Sequence, residues 1–324
     1  MFTPENNRVV RHTGALYPVL QAPMAWIARA PLVSAVSAAG GIGLLETSSR
    51  DSGALKRELA SVRDRTGRPF GINLAIKFLR ADEELERNVL DIVISSGIRF
   101  VTTSAGDPGR YARRLKDAGI VVYHAVPGLA GALKAEDAGV DGLIVEGGES
   151  AGIRGPDPVH SLVLLQAVRE RVGLPIIAAG GIADGRGMAA AFALGADGIA
   201  MGTRFVASIE SPVHENYKQA IVNARPEGTL AMPFPPGAVS RVLRTDLAQR
   251  VAAGECAPGR SKDLVQNLYI DGRTDLAMGS AGESAALVHQ VKSVADIIDE
   301  TVSGFWHEVD RLAALRAGHR PGTK

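Results

Sequence analysis

A single cysteine, Cys256, stands in a chain of 324 residues. No intrachain disulfide or cysteine-rich metal site can form, so no metal is expected and a reducing cytoplasm is the expected compartment. Charge of one sign is also lacking, since the net charge is +1. That balance leaves no electrostatic footprint for nucleic acid or an acidic membrane surface. No apolar run approaches the roughly 18 residues of a membrane span, and MFTPENNRVVRH at the start has no signal-peptide core. What is present is a chain 46% apolar and 22% charged, able to bury a large core. Its length suits one barrel of about 250 residues with an additional piece.

Apolar runs near 19–22, 42–45, 70–74, 100–103, 121–126, 142–146, 176–179 and 198–201 read as strands. Helical patterns near 31–39, 53–64, 84–96, 108–118, 128–138, 158–172 and 185–194 lie between them. Eight strands in strict alternation with helices predict parallel βαβ units, and an α/β TIM (β/α)8 barrel over a doubly wound sheet. After Phe205 the pattern breaks at Pro212, Pro226, Pro233, Pro235 and Pro236, with a helix expected over 239–252 and a Gly/Pro loop over 254–259. We expect a barrel over 1–205 and 279–324, the latter with a C-terminal helix. Residues 206–278 form a mainly helical lid in this reading.

The stretch LPIIAAGGIADGRGMAAAFALGADGIAMGTRF, residues 174–205, organises the chain. It reads as strand, Gly180-Gly181, helix, strand, Gly202-Thr203. The last two units of such a barrel make a phosphate site this way, from backbone N–H groups in consecutive loops. The alternative is a pair of tight turns that only punctuate the barrel. Other strand ends carry polar or small residues: Gln21-Ala22-Pro23-Met24-Ala25-Trp26, Phe70-Gly71-Ile72-Asn73, Thr102-Thr103-Ser104-Ala105-Gly106-Asp107-Pro108, and Glu146 through Gly155. Small residues and Pro23 admit a flat aromatic ligand, and Asn73 can donate to and accept from a heterocycle edge.

The segments APMA (22–25), PFGIN (69–73), TTSAGDP (102–108), GGESAG (147–152), AAGGIADGRG (178–187), MGTRF (201–205) and MGSAG (278–282) resemble the nitronate monooxygenases. Related families are the FMN-dependent enoyl-ACP reductases and NADH:quinone reductases. The resemblance implies FMN in a TIM barrel. Its phosphate would lie at Gly180, Gly181, Gly202 and Thr203. The ring would lie along Ala22, Pro23 and Met24 with Asn73 at its polar edge, and Glu146, Ala151 and Gly152 would hold ribityl chain and ring. It also implies a histidine after Gly152, where this chain has Ile153. Isoleucine transfers no proton.

His124 is the expected substitute base, although strand alternation lets only one of Tyr123 and His124 face the mouth. His160 and His214 are further candidates, His214 in the lid region. Substrate-side residues are Trp26, Ile153, Arg154 and His214. Trp26 either stacks on substrate or packs in the core. Arg154 and Arg204 either bind a phosphate or sit solvated, Glu149 shapes the mouth or caps a loop, and Asp184 reads as a helix cap. Cys256 is expected to be an unpaired surface thiol. The reading is an FMN-dependent oxidoreductase of small anionic or conjugated substrates, with O2, NAD(P)H or a quinone as second partner. Its alternatives are an enoyl-thioester reductase or the reverse CoA-ester dehydrogenase, a non-catalytic flavin-binding sensor, and a flavin-free barrel lyase or isomerase. A small-molecule partner is expected, with no nucleic acid or membrane partner and with a homodimer possible.

Overall fold

A computed structural model describes residues 1–234, 237–255, 263 and 265–318. Eight parallel strands carry the architecture: β1 (Val19–Gln21), β2 (Gly43–Glu46), β3 (Phe70–Ala75), β4 (Phe100–Ser104), β5 (Val121–Val126), β6 (Gly142–Glu146), β8 (Ile176–Ala179) and β9 (Gly198–Met201). Each falls on one of the eight apolar runs. They pair in the order β1-β9-β8-β6-β5-β4-β3-β2. A parallel bridge between Leu20 and Ile42, with Gln21 N donating to Ile42 O at 2.9 Å, joins the two ends. The sheet is a barrel.

Helices α2 (Ala30–Ala38), α3 (Ser52–Arg65), α5 (Glu83–Ser95), α6 (Gly109–Asp117), α7 (Leu129–Asp137), α8 (Ser161–Arg169) and α9 (Gly185–Ala193) fill the crossovers, with α4 (Ile76–Leu79) as a single turn after β3. Strand parity divides the apolar residues into two bodies. Leu20, Leu44, Phe100, Tyr123, Ile144, Ile177 and Ala200 form the barrel interior. Their strand neighbours Val19, Leu45, Val101, Val122, Leu143, Ile176 and Ile199 pack outward under the helices. Helix α1 (Arg8–Thr13) closes the N-terminal end of the barrel. Val9 and Ala15 join the interior cluster, His12 Nδ1 lies 3.0 Å from the Tyr123 hydroxyl, and Arg8 grips Asp197 through two 2.8 Å bonds.

The segment beyond Phe205, entered through α10 (Thr203–Val206), adds strands to the helices expected there. It holds α11 (Glu215–Val222), α12 (Asp246–Ala252) and a π-helical turn Val265–Ile270, and also a hairpin of β10 (Thr229–Phe234) and β11 (Ala238–Leu243). Residues 239–243 of the expected 239–252 helix are therefore strand, and 246–252 are helical. The hairpin continues onto β7 (Gly152–Arg154) as an antiparallel sheet in the order β10-β11-β7. Pro233 is tolerated because β10 is an edge, where a missing N–H breaks no ladder. Pro235, Pro236 and Cys256, with most of the 254–259 loop, lie outside the described residues.

The C-terminal helix Val294–Gly318 returns to the barrel. Phe305 packs in an aromatic cluster with Phe2, Phe192 and Trp306, with ring centroids 4.9–5.4 Å from it. At the crossing with α9 the backbones touch: a Cβ on Gly185 would lie 2.3 Å from Phe305 N and 2.6 Å from Thr301 O. Backbone cannot yield as a flexible side chain does. Gly185→Ala should therefore destabilise the protein by about 2 kcal/mol through overpacking. A drop in the urea midpoint at unchanged slope is the expected reading, and an unchanged midpoint would refute the contact.

Candidate functional site

Parity fixes which residues look into the C-terminal mouth. Counting inward from the interior cluster, the strand ends present Ala22, Glu46, Asn73, Ser104, Ala125, Glu146, Ala179 and Gly202. Three are alanines and one is glycine, leaving open space ringed by four polar groups, the usual composition of a ligand pocket. Exposure changes at this rim. The strands are buried, whereas Ala22, Pro23, Met24, Ala125, Glu146, Ala151, Gly152, Gly180, Gly181 and Gly202 are each half-buried.

The glycine cradle is built as its sequence implies. Gly180 and Gly181 both adopt left-handed φ values, 95° and 75°. Only glycine does this without steric cost. A Cβ on Gly180 would lie 3.1 Å from Gly147 O, and one on Gly202 would lie 3.6 Å from Ala22 Cβ and 3.7 Å from Met24 Sδ. Side chains there would fill the hollow. Thr203 is buried and its Oγ1 accepts from Gly282 N at 2.9 Å, so the 278–282 turn is tied to the cradle. These residues fit a phosphate-bearing flat ligand.

Polar contacts stabilise the rest of the rim. Asn73 Oδ1 accepts from Thr102 Oγ1 at 2.9 Å, and its Nδ2 donates to Ser104 Oγ at 3.3 Å. Glu46, which the motif reading overlooked, is buried beside Trp26. Its oxygens receive Arg29 Nη2 at 3.1 Å, Trp26 N at 3.3 Å, Ser49 N at 3.0 Å and Ser48 Oγ at 2.5 Å. Its place as the last residue of an apolar run, counted by parity, was the signal available. Trp26 is held in the left-handed region at φ 65°, a strain of roughly 1 kcal/mol, and the Arg29 guanidinium lies 5.2 Å from its ring centroid. It is 36% exposed, so it lines the mouth rather than the core.

At the end of β6, Glu146 Oε1 accepts from Ser150 Oγ at 2.6 Å, and Ser150 Oγ accepts from Arg154 Nη1 at 2.6 Å. Burial holds the Glu146 carboxyl above the ordinary value. Arg154 is only 4% exposed, and its Nε has no partner. Arg241 on β11 pairs with Glu283 at 2.9 Å and also keeps a partnerless buried Nε. Ile153 points the other way and is 50% exposed.

Other candidates are structural. His124 is a correction: it shares the parity of outward-facing Val122, opposite to Tyr123, and so leaves the mouth. Its Nδ1 meets Thr103 Oγ1 at 2.7 Å beneath the helices. His214 caps α11, its Nδ1 accepting from Asn216 N at 3.1 Å. Arg204 donates to Ala207 O and Gln290 O, anchoring backbone rather than an anion. Glu149 accepts from Ser161 N and Oγ at the start of α8, and Asp184 accepts from Gly187 N at 2.9 Å as the cap of α9.

The family model described as nitronate monooxygenase matches residues 7–304. The chain belongs to the nitronate monooxygenase family. Among relatives of this family member is a (3aS,4S,5R,7aS)-5-hydroxy-7a-methyl-1-oxo-octahydro-1H-indene-4-carboxyl-CoA dehydrogenase of Mycobacterium tuberculosis, 37% identical over 76% of this chain and 68% of the relative. The protein of the same name from Rhodococcus jostii is 30% identical over 94% and 97%. A probable nitronate monooxygenase of Staphylococcus saprophyticus is 28% identical over 74% and 80%. The solved FabK of Thermotoga maritima superposes with a TM-score of 0.87 at 35% identity, covering 95% of this chain and 99% of that one. The nitronate monooxygenase family and its FabK-like neighbours are flavoenzymes, and this member is a flavin oxidoreductase. Among the described residues no helix is long and apolar enough to cross a membrane.

His124 also generates a test. Burial pushes its imidazole down to about 4 from 6.5. The unfolded chain then binds the extra proton first, so stability falls as pH drops from about 6.5 towards 4 and is unaffected above that window. The share from this residue is roughly 2 kcal/mol by pH 5. In urea titrations His124→Asn, which can keep the Thr103 contact, should lose that part of the acid slope. Flavin content and turnover at neutral pH should stay unchanged, which a catalytic His124 would contradict.

Proposed function

We propose that this chain is an FMN-dependent oxidoreductase of an acyl-CoA or related thioester, working as dehydrogenase or as the reverse reductase. The observation that carries this reading is the side chain in the family's histidine position. Ile153 lies exposed on β7, and none of the eight inward strand-end residues is a histidine. The two dehydrogenase relatives, both named for a carboxyl-CoA, support the same substrate class.

FMN phosphate would be held at Gly180, Gly181, Gly202 and Thr203. Ala22, Pro23 and Met24 would flank the ring, Asn73 would meet its polar edge, and Glu146, Ala151 and Gly152 would complete the cradle. Bound there, FMN supplies the hydride acceptor and donor. The chain's own part is to orient the acyl group and exclude water. Trp26 and Ile153 offer apolar surface at the mouth, and Arg154 adds buried positive charge. Residues 206–278 act as the lid, tied to the site by the β7–β11 pairing. Beside the ends of β3 and β4 an open cavity of about 440 Å³ is lined by Ile76, Lys77, Arg80, Ala81, Ala105 and Gly106. Its two cations suit the phosphates of CoA. NAD(P)H, O2 or a quinone would serve the other half-reaction. A homodimer is part of the proposal, supported by exposed Val159, Leu162 and Val163.

Anaerobic mixing of the FMN-loaded protein with butyryl-CoA, cyclohexanecarboxyl-CoA, propyl-2-nitronate, NADH and NADPH tests this through the flavin's visible absorbance. Bleaching by a CoA ester, or by NAD(P)H with reoxidation by an enoyl-CoA, is expected. Bleaching by the nitronate alone would favour nitronate oxidation, for which the substrate arrives already ionised. The double variant Lys77→Ala/Arg80→Ala should raise KM for the CoA ester about tenfold while kcat holds. An unchanged KM would remove the phosphate role.

A further inference from the structure

At the corner of the mouth between β1 and β2, one large apolar side chain stays out of the core while its neighbours go in. Ile27 and Ala28 are buried, and their N–H groups both donate to Met24 O, at 3.1 and 2.9 Å. The turn is thus pinned on its core side, and Trp26 is left exposed at φ 65°. A bulky residue keeps that conformation only where its surroundings impose it. Glu46 imposes it here. Its side chain is 1% exposed, and one carboxylate oxygen accepts from Trp26 N and from Arg29 Nη2, whose guanidinium lies against the indole. Ser48 Oγ and Ser49 N occupy the other oxygen. Thr47 holds the strand end itself, its Oγ1 donating to Asn73 O at 2.9 Å and accepting from Ala75 N at 3.2 Å. A carboxylate so buried and so fully engaged has nothing left to offer a ligand. Its effect on the mouth passes through Trp26.

We propose that Trp26 is the specificity-determining wall of the acyl pocket, selecting bulky apolar acyl groups, and that Glu46 is the positioning residue that sets it. The inference rests on the thioester reading above. An indole offers a wide, rigid apolar face on few rotatable bonds, so it gathers apolar surface at small entropic cost. The gain grows with the apolar area that the acyl group removes from water. A cyclohexyl group therefore gains more from the wall than a short linear chain does. Arg29, tethered by Glu46, lies against the indole and stiffens it. Without the carboxylate, the turn can relax towards an ordinary negative φ and swing the ring off the mouth. Glu46 then acts on substrate choice without touching substrate.

The test uses the FMN-loaded protein carrying Trp306→Phe, which leaves Trp26 as its single tryptophan. Trp306 sits on the C-terminal helix among Phe2 and Phe305, where phenylalanine keeps the packing. In this parent, cyclohexanecarboxyl-CoA should shield Trp26 emission from acrylamide. Adding Glu46→Gln should expose the emission to acrylamide and shift it to longer wavelength. Anaerobic mixing then follows flavin bleaching by cyclohexanecarboxyl-CoA and butyryl-CoA, or reoxidation of the NAD(P)H-reduced protein by the matching enoyl esters. Trp26→Ala should raise the half-saturating concentration about tenfold for the cyclohexyl ester and less than about threefold for the butyryl ester, with the limiting rate held. Trp26→Phe should recover most of that loss. Glu46→Gln should move the same ratio the same way, and Glu46→Gln/Trp26→Ala should be no worse than Trp26→Ala alone, since a residue acting only through another adds nothing once that one is gone. Additive losses in the double variant, or Trp26 emission unmoved by Glu46→Gln, would overturn the positioning role. Equal changes for the two esters in Trp26→Ala, or none, would overturn the selection and leave the thioester function standing. A parent whose flavin responds to no ester would overturn the thioester function and the acyl role of Trp26 with it, while the emission of Glu46→Gln would still decide whether Glu46 sets the ring.

Discussion

The two-residue pleat of the barrel strands decides what this protein can do at its mouth. A strand side chain points either into the barrel or under the helices, and pairing locks that choice across all eight strands at once. Tyr123 fills the interior, so His124 beside it is committed to the outer layer with Thr103. Likewise Ile144 fixes Glu146 inward, and Phe100 fixes Ser104. A one-residue slip in any strand would exchange polar rim for apolar core.

The same parity explains how the chain handles buried charge. Glu46 is neutralised where it stands, by Arg29 and by the backbone N–H groups of Trp26 and Ser49 from two separate loops. Asp197 is gripped by Arg8 at the opposite end. Arg154 and Arg241 lie in the small antiparallel sheet, each with an N–H that no protein atom receives. An unpaired buried donor is costly, and Arg204 Nε and Ser211 Oγ share this property outside the small sheet. Among the described side chains with this property, Arg154 and Arg241 flank the same loop.

Much of the architecture was legible in the sequence because parallel strands buried on both faces read as short apolar runs. All eight runs became strands, and the glycines of the 180–181 turn took the left-handed conformations that motivated attention to them. The hairpin was not legible. Its strands are amphipathic at best, β10 contains Pro233, and β7 has three residues with a glycine among them. Nothing local distinguishes such a segment from a loop; its strand character comes from its partners. The site was readable where backbone makes it, as at Gly180, Gly181 and Gly202. It was less readable where a long-range partner decides the role of a charged group, as for Glu46, Glu149 and Arg204. Histidine type alone misdirected the choice of His124, since composition carries no information about facing.

Helix α1 stoppers the barrel floor with Val9 and Ala15, beneath a fully buried Tyr123. The vessel thus has one door. Any ligand of the barrel enters and leaves at the mouth, and the packed floor, far from any chemistry, serves to hold the strands whose ends shape it.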